Sequence, residues 1–419
     1  MEVNVMDHEQ KSHALIERFL GYLAITSQSD PKVKTVPSTE TQWDMAKVLE
    51  AQLKHLGLKE VQTDEHAIVT GLLPANVEGV KPVGFVAHMD TVDVGLSADI
   101  HPQVIHYVGG DVCLNKEKDI WIRVADHPEL ERYRDQFIIF TDGTSVLGAD
   151  NKAGVTNVMT MLEIMVTEQL PHGDIRVAFV PDEETGLRGA KLLDLDKFKV
   201  DFAYTVDGED LGEVVYETYN AAECHFDIEG VTTHPCAAKG VLVNPILIAQ
   251  DLINSFNRLE TPENTDERDG YYWFKTMTAN PARAHLQLNI RDFDNAKYEA
   301  RKAYVLSVTE VLRQRYPKAK INVDIEDIYS NISGGLGEDR LPIDLMYEAL
   351  KELNIEPRTV AMRGGTDGSA LTARGLVTPN YFTGAHNAHG YAEFLPVDSF
   401  VASLDMTLKI IELLVRKAS

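Results

Sequence analysis

The sequence predicts an α/β protein: a catalytic domain on a mostly parallel central sheet flanked by helices, with a smaller α+β domain inserted into it. Three observations predict this. Helix and strand signals alternate over the first half of the chain, as they do when crossover helices join parallel strands. After about residue 218 the pattern changes to two long helices among a few strands. After residue 330 the α/β alternation resumes. Residues 1–218 and 331–419 therefore read as one domain and 219–330 as the insertion, a division that 419 residues accommodate.

The elements follow in order. Residues 12–25 place Leu15, Phe19, Leu20 and Leu23 at helical spacing. Residues 40–56 do the same with Trp43, Met45, Ala46, Leu49, Leu53 and Leu56, with Ser38 as the expected N-cap and Gly57 as the stop. Apolar runs at 67–73, 83–87, 175–180 and 202–206 read as buried strands, with a helix at 152–167 between the second and third. In the insertion, 221–229, 284–291 and 321–325 read as strands, 244–259 and 295–315 as helices, and the polar run Glu260–Glu267 as a loop. Ser330–Gly337 is the return linker, followed by a helix at 342–353, strands at 358–361 and 377–382, and a last helix at 398–416.

Composition narrows the function. The chain carries 40 Lys+Arg against 65 Asp+Glu, a formal charge of −25. That balance excludes phosphate neutralisation as the basis of binding, so nucleic acid and anionic membrane surfaces are not the expected partners. The three cysteines, Cys113, Cys224 and Cys236, form no C-x-x-C pair, so neither a disulfide framework nor a thiolate metal site is expected. No run of about 18 apolar residues occurs, and the N-terminus has no basic region ahead of an apolar one, so a cytoplasmic protein is expected. There is no H-E-x-x-H, G-x-S-x-G or G-x-x-x-x-G-K-[ST], which argues against a zincin, a serine hydrolase and a P-loop enzyme.

Five segments carry candidate chemistry, four of them at the end of an apolar strand, where open α/β sheets collect ligands. His88 and Asp90 stand two apart, so their side chains share one side, and a carboxylate commonly orients a metal-bound imidazole. Asp150 precedes a helical pattern and taken alone reads as an N-cap; its functional reading is a carboxylate between two cations. Asp182, Glu183 and Glu184 crowd a strand end, where like charges repel unless a cation compensates. Asp207 follows a strand and gains weight only from this company. His386 and His389 lie near the C-terminus beside Gly390. Together they offer imidazole and carboxylate donors without a thiolate, a set that suits zinc, with Mn2+ or Co2+ as substitutes. Their number exceeds the ligands of one catalytic zinc and points to two ions, one acid taking a proton from metal-activated water.

The order His88-Met-Asp90, Gly148-Ala-Asp150-Asn, Asp182-Glu183-Glu184-x-Gly186, Asp207 and His389-Gly390 resembles the co-catalytic zinc aminopeptidases and carboxypeptidases related to aminoacylase. Within that family the likeness is greatest to tripeptide aminopeptidases, through Asp142–Gly154, Met362–Gly368 and Asn380-x-Phe382-Thr383-Gly384, and it covers essentially the whole chain. The resemblance implies two Zn2+ per subunit: His88, Asp150 and Asp207 on one, Asp150, Glu184 and His389 on the other, Asp150 bridging. It implies Asp90 and Glu183 as catalytic residues, the first orienting His88 and the second acting as general base and acid. It implies that the insertion is a lid and homodimerisation domain, that His234 approaches the scissile carbonyl, and that Arg291 and Arg363 bind a substrate carboxylate.

Read without the resemblance, His234 is a loop histidine before proline and Arg291 a partner of Asp292 or Asp294. The chain departs from the family at Cys236, Ala385 and Ala388, where glycine, glycine and an aromatic residue are usual. His386 is a rival to His389, which is preferred for its place in H-G-x-x-E-F. Alternatives are a dipeptidase, carboxypeptidase or N-acyl-amino-acid deacylase of the same family, or a peptide-binding protein without activity.

Overall fold

The structure, a computed structural model, describes residues 6–418. It divides into two compact units: one running to Tyr216 and including Gly335–Val360 and the chain from Thr366, the other comprising Glu217–Gly334 with Ala361–Gly365. Residues 217–218, 331–334 and 361–365, assigned on sequence to the first domain, group with the second unit.

The first unit is built on an eight-stranded sheet in the order Lys59–Thr63, Val69–Leu73, Ile175–Val180, Val83–His88, Phe202–Gly208, Asn380–Phe382, Glu213–Thr218, Arg358–Met362. The middle four strands are parallel. Antiparallel strands adjoin them on both sides, Val69–Leu73 against Ile175–Val180 and Glu213–Thr218 against Asn380–Phe382. The α/β class with a parallel centre is therefore as expected. Parallel strands are covered on both faces, which is why Val83–His88 reads as an unbroken apolar run and is buried throughout.

Helices His8–Leu23, Ala149–Thr167 and Val397–Ala418 pack on one another and bury Phe19, Met161, Phe400 and Leu404. Ala149–Thr167 also lies against the Val83–His88 and Phe202–Gly208 strands. Gly154 permits that approach: a Cβ there would run into the Val206 carbonyl oxygen and the Asn151 side chain. A second sheet, Phe394–Pro396, Gln136–Thr141, Pro102–Tyr107, occupies a stretch to which the sequence reading assigned no element.

Two expected caps are corrected. Ser38 does not cap the Thr41–His55 helix, whose N-cap is Glu40; the Ser38 hydroxyl instead donates to Asp182 Oδ1 at 2.5 Å. Asp150 does not cap its helix either. Gly148 is the N-cap, in the left-handed region at φ 74°, and Asp150 itself has non-helical angles, which frees its carboxylate for the strand ends.

The second unit is a four-stranded antiparallel sheet in the order Tyr271–Ala279, Arg283–Asp292, Asn220–Glu229, Lys320–Tyr329, with helices Pro245–Asn254 and Asn295–Arg315 packed against it. Phe226, Leu286 and Leu288 bury against Ile248 and Val305. Asn244 and Asp294 cap the helices through the N–H groups of Ile246 and Lys297. The edge strand Tyr271–Ala279, largely exposed, was missed on sequence because edge residues need not alternate.

Candidate metal centre

Strand register assembles the site. His88 pairs with Val180 across adjacent parallel strands, so the turn Pro181–Gly186 begins beside the imidazole. Val86 pairs with Thr205 on the other side, bringing Asp207 to the same end. Three neighbouring strands thus deliver His88, Glu183/Glu184 and Asp207 to one edge, and the kinked start of the Ala149–Thr167 helix lowers Asp150 among them.

His88 Nε2 lies 3.0 Å from Asp150 Oδ1 and 3.5 Å from Asp207 Oδ1. Its Nδ1 is 3.0 Å from the Asp90 carbonyl oxygen and 3.3 Å from Asp90 Oδ1. The carbonyl accepts only, which puts the Nδ1 proton there and turns Nε2 toward the carboxylates. Asp90 also accepts from the backbone N–H of Glu183 at 3.0 Å and of Glu184 at 3.3 Å. This one buried carboxylate therefore fixes both the histidine and the acidic turn. On the other side of Asp150, His389 Nε2 lies 3.0 Å from Asp150 Oδ2 and 3.0 Å from Glu184 Oε1.

The ligand atoms of His88, Asp150 and Asp207 lie within 4.8 Å of one another, as do those of Asp150, Glu184 and His389. Asp150 belongs to both groups. His88, Glu183 and Glu184 make a third. His389, rather than His386, stands with Asp150 and Glu184. His386 is buried on the Phe394 ring, 2.6 Å from the Tyr133 hydroxyl, and burial pulls its pKa down to about 4.

The electrostatics describe a site short of positive charge. Burial, then Asp150, pushes Glu184 up to about 7 and Asp207 up to about 6. Burial raises Glu183 well above the carboxylate range, with Asp367, Glu184 and Asp207 adding to it against His88. Burial would lower His88, but Asp207, Asp150 and Asp90 override it and raise the ring well above its ordinary value. Hydrogen bonds to Asp150 and Glu184 push His389 up to about 11. Glu184 Oε1 is buried, with His389 Nε2 at 3.0 Å. Buried carboxylates in mutual repulsion and two imidazole nitrogens aimed at them fit divalent cations. No cysteine belongs to any of the groups.

Three acids were given no role in the sequence reading. Glu393 accepts from the N–H of Gly148 at 2.8 Å and of Asp150 at 3.1 Å, fixing the backbone of the shared ligand. Its signal was the H-G-x-x-E-F pattern. Asp367, 1% exposed, has both oxygens without a hydrogen-bond partner, and burial raises its pKa well above the usual range. Its signal was the Met362–Gly368 motif. Glu209 follows Asp207 by two residues and had no signal beyond that spacing.

The remaining expected residues belong to the second unit. His234 is exposed, with Nδ1 3.0 Å from Cys236 Sγ and accepting from the Cys236 N–H at 3.3 Å. Arg291 donates to the Ile290 and Ala222 carbonyls and lies over the Tyr329 ring. The acids that might have paired with it are taken: Asp292 by Arg301 at 2.8 Å, Asp294 by its capping bond. Arg363 donates to Thr265 Oγ1 at 2.9 Å and sits against the Tyr219 and Tyr271 rings.

A parallel-centred sheet whose strand ends present two imidazole–carboxylate groups sharing one aspartate defines the metallohydrolase class. The profile of Peptidase family M20/M25/M40 matches residues 148–413, and the chain belongs to that family. It is 56% identical over 399 residues to a Peptidase T-like protein of Yersinia pestis, covering 95% of this chain and 97% of that one. It is 42% identical over 408 residues to Peptidase T of Geobacillus thermodenitrificans, covering 97% and 99%. The crystal structure of aminopeptidase PepT from Bacillus cereus matches with a TM-score of 0.75 at 22% identity, over 96% of this chain and 99% of that one. A dinuclear metal-binding M20 peptidase of Bacillus subtilis matches at 0.65 and 11% identity, over 97% and 99%. The two structural likenesses bear on the fold.

Proposed function

We propose that the protein is a metal-dependent aminopeptidase that releases the N-terminal residue of tripeptides. The observation that carries the reading is Asp150, shared between His88 with Asp207 and Glu184 with His389, and flanked by an acid, Glu183, that neither pair uses. The 42% identity to Peptidase T over nearly the full length of both chains supports that substrate class.

His88, Asp150 and Asp207 would hold one Zn2+ and Asp150, Glu184 and His389 the other, with Mn2+ or Co2+ as substitutes. Bound there, two such cations supply Lewis acidity and bring the pKa of water toward about 7. Glu183 takes the proton of the attacking water and returns it to the leaving amine. Asp90 keeps His88 in the ligating tautomer and keeps the Glu183–Glu184 turn in register. His234 stabilises the developing oxyanion. Arg291 and Arg363 bind the substrate carboxylate, for which a planar guanidinium is shaped.

The second unit serves as lid and homodimerisation domain, with His234 reaching the partner subunit's site, and the protein works in the cytoplasm. No helix among the described residues is long and apolar enough to cross a membrane. The test is metal analysis paired with turnover of Ala-Ala-Ala, Ala-Ala, Ala-Ala-Ala-Ala and N-acetyl-alanine. Two zinc per subunit and preferred cleavage of Ala-Ala-Ala are expected; preferred cleavage of the blocked substrate would replace the reading with a deacylase. Sedimentation tests the dimer.

A further inference from the structure

An aminopeptidase must read a free α-ammonium. That nitrogen sits one carbon from the scissile carbonyl, about 2.5 Å away by covalent geometry. A peptide carbonyl at the paired sites therefore carries a positive charge toward two cations, an arrangement Coulomb repulsion opposes unless a carboxylate stands beside it. The acids around Asp150 are mostly committed. Asp207 and Glu184 are in the ligand groups, and Glu183 is the proposed base. Asp90 and Glu393 accept backbone N–H groups. Asp367 is 1% exposed, out of reach of a ligand entering from solvent. Asp210 is held by Arg132 at 2.8 Å, by the Tyr133 hydroxyl at 3.3 Å and by Arg358.

Glu209 remains. It is exposed, and its carboxylate has no hydrogen-bond or ion-pair partner among the described residues. It stands two residues after Asp207, where the chain leaves the Phe202–Gly208 strand at the end that carries the site. The backbone there is fixed: Thr383 donates through N and Oγ1 to the Gly208 carbonyl, each at 2.8 Å, and the Gly384 N–H donates to the Glu209 carbonyl at 2.8 Å. After burial, the charges that act on its carboxyl most are the shared ligand Asp150, which raises its pKa, and His389, which lowers it.

We propose that Glu209 is the substrate-binding carboxylate that receives the α-ammonium of the peptide and so makes the site select free N-termini. The proposal rests on the aminopeptidase reading. The test compares the metal-loaded enzyme with its Glu209→Gln and Glu209→Asp variants on Ala-Ala-Ala, Lys-Ala-Ala and the des-amino analogue propionyl-Ala-Ala, with metal content measured for each.

The expected result is a loss of about 10–100-fold in kcat/KM for both free tripeptides with Glu209→Gln, carried mainly by KM, as for a lost charge-assisted contact. Glu209→Asp restores part of it, propionyl-Ala-Ala turnover is unchanged, and metal content is retained. An equal loss on propionyl-Ala-Ala, a loss confined to Lys-Ala-Ala, or loss of metal would overturn the assignment. If the unaltered enzyme prefers propionyl-Ala-Ala to Ala-Ala-Ala, the aminopeptidase reading itself fails, and the Glu209 proposal with it. That outcome needs no variant, so the two failures are distinguishable.

Discussion

Asp150 and the side chains around it concentrate the chemistry, and single atoms can be tested there. Glu183→Gln keeps shape and removes the base, so kcat is expected to fall by about 10²–10⁴-fold with metal content unchanged. A variant at full rate would remove Glu183 from the mechanism. The two histidines separate in the same way. His389→Ala takes a donor from the Asp150–Glu184 pair, and metal analysis is expected to show one ion lost. His386→Ala removes the buried partner of Tyr133 and is expected to retain both ions while losing about 1–3 kcal/mol of stability. The reverse pattern would make His386 the ligand. Glu393→Ala leaves the buried N–H groups of Gly148 and Asp150 unpaired, again a cost of about 1–3 kcal/mol, read as a shifted urea midpoint.

At the scale of elements, the site depends on how closely the Ala149–Thr167 helix lies on the sheet. Gly154 sets that distance. Gly154→Ala forces its methyl against the Val206 carbonyl, next to Asp207, and is expected to destabilise by about 1–3 kcal/mol, as overpacking does. The same shift should weaken metal binding, so the variant's zinc affinity is the second measurement; unchanged stability and affinity together would show that the helix has slack. Strand register is the other element-scale determinant. A slip of one residue would turn His88 to the opposite face of the sheet, and the run of apolar residues that buries Val83–Ala87 does not by itself forbid this. Contacts beyond the strand set the register, among them the Asp90 carboxylate clamped by two N–H groups of the neighbouring turn.

Across the whole molecule, metal and protons compete for one cluster. Without metal, Glu184 holds its proton to about 7 and Asp207 to about 6, above the unfolded carboxylate values of about 4. The folded chain then binds more protons than the unfolded one between about pH 4 and 7, so metal-free stability falls as pH rises through that window. His389, raised to about 11, extends the fall above its unfolded value of about 6.5. Cations need these groups deprotonated, so metal binding strengthens in the same direction. The chelated protein is expected to melt lower at pH 7.5 than at pH 5.5, and added zinc to raise Tm more at pH 7.5. At 100 times Kd the gain is about 2.7 kcal/mol. A larger gain at pH 5.5 would contradict the placement of the ions on these residues.

The sequence by itself determined the α/β class, most of the helices and the residues that converge on Asp150, because apolar periodicity and short polar motifs at strand ends are local signals. It did not determine the roles of Ser38 and Glu393, the sheet formed by Pro102–Tyr107, Gln136–Thr141 and Phe394–Pro396, or the freedom of Glu209. A hydroxyl that pairs with Asp182 instead of capping its own helix, and a glutamate that holds N–H groups more than 240 residues away, are decided by partners distant in sequence. The H-G-x-x-E-F pattern already favours His389 over His386, but the physical reason for that choice is of the same kind. Both are three-residue neighbours in one loop, and only the packing of Phe394 and Tyr133 around the first leaves the second facing Asp150.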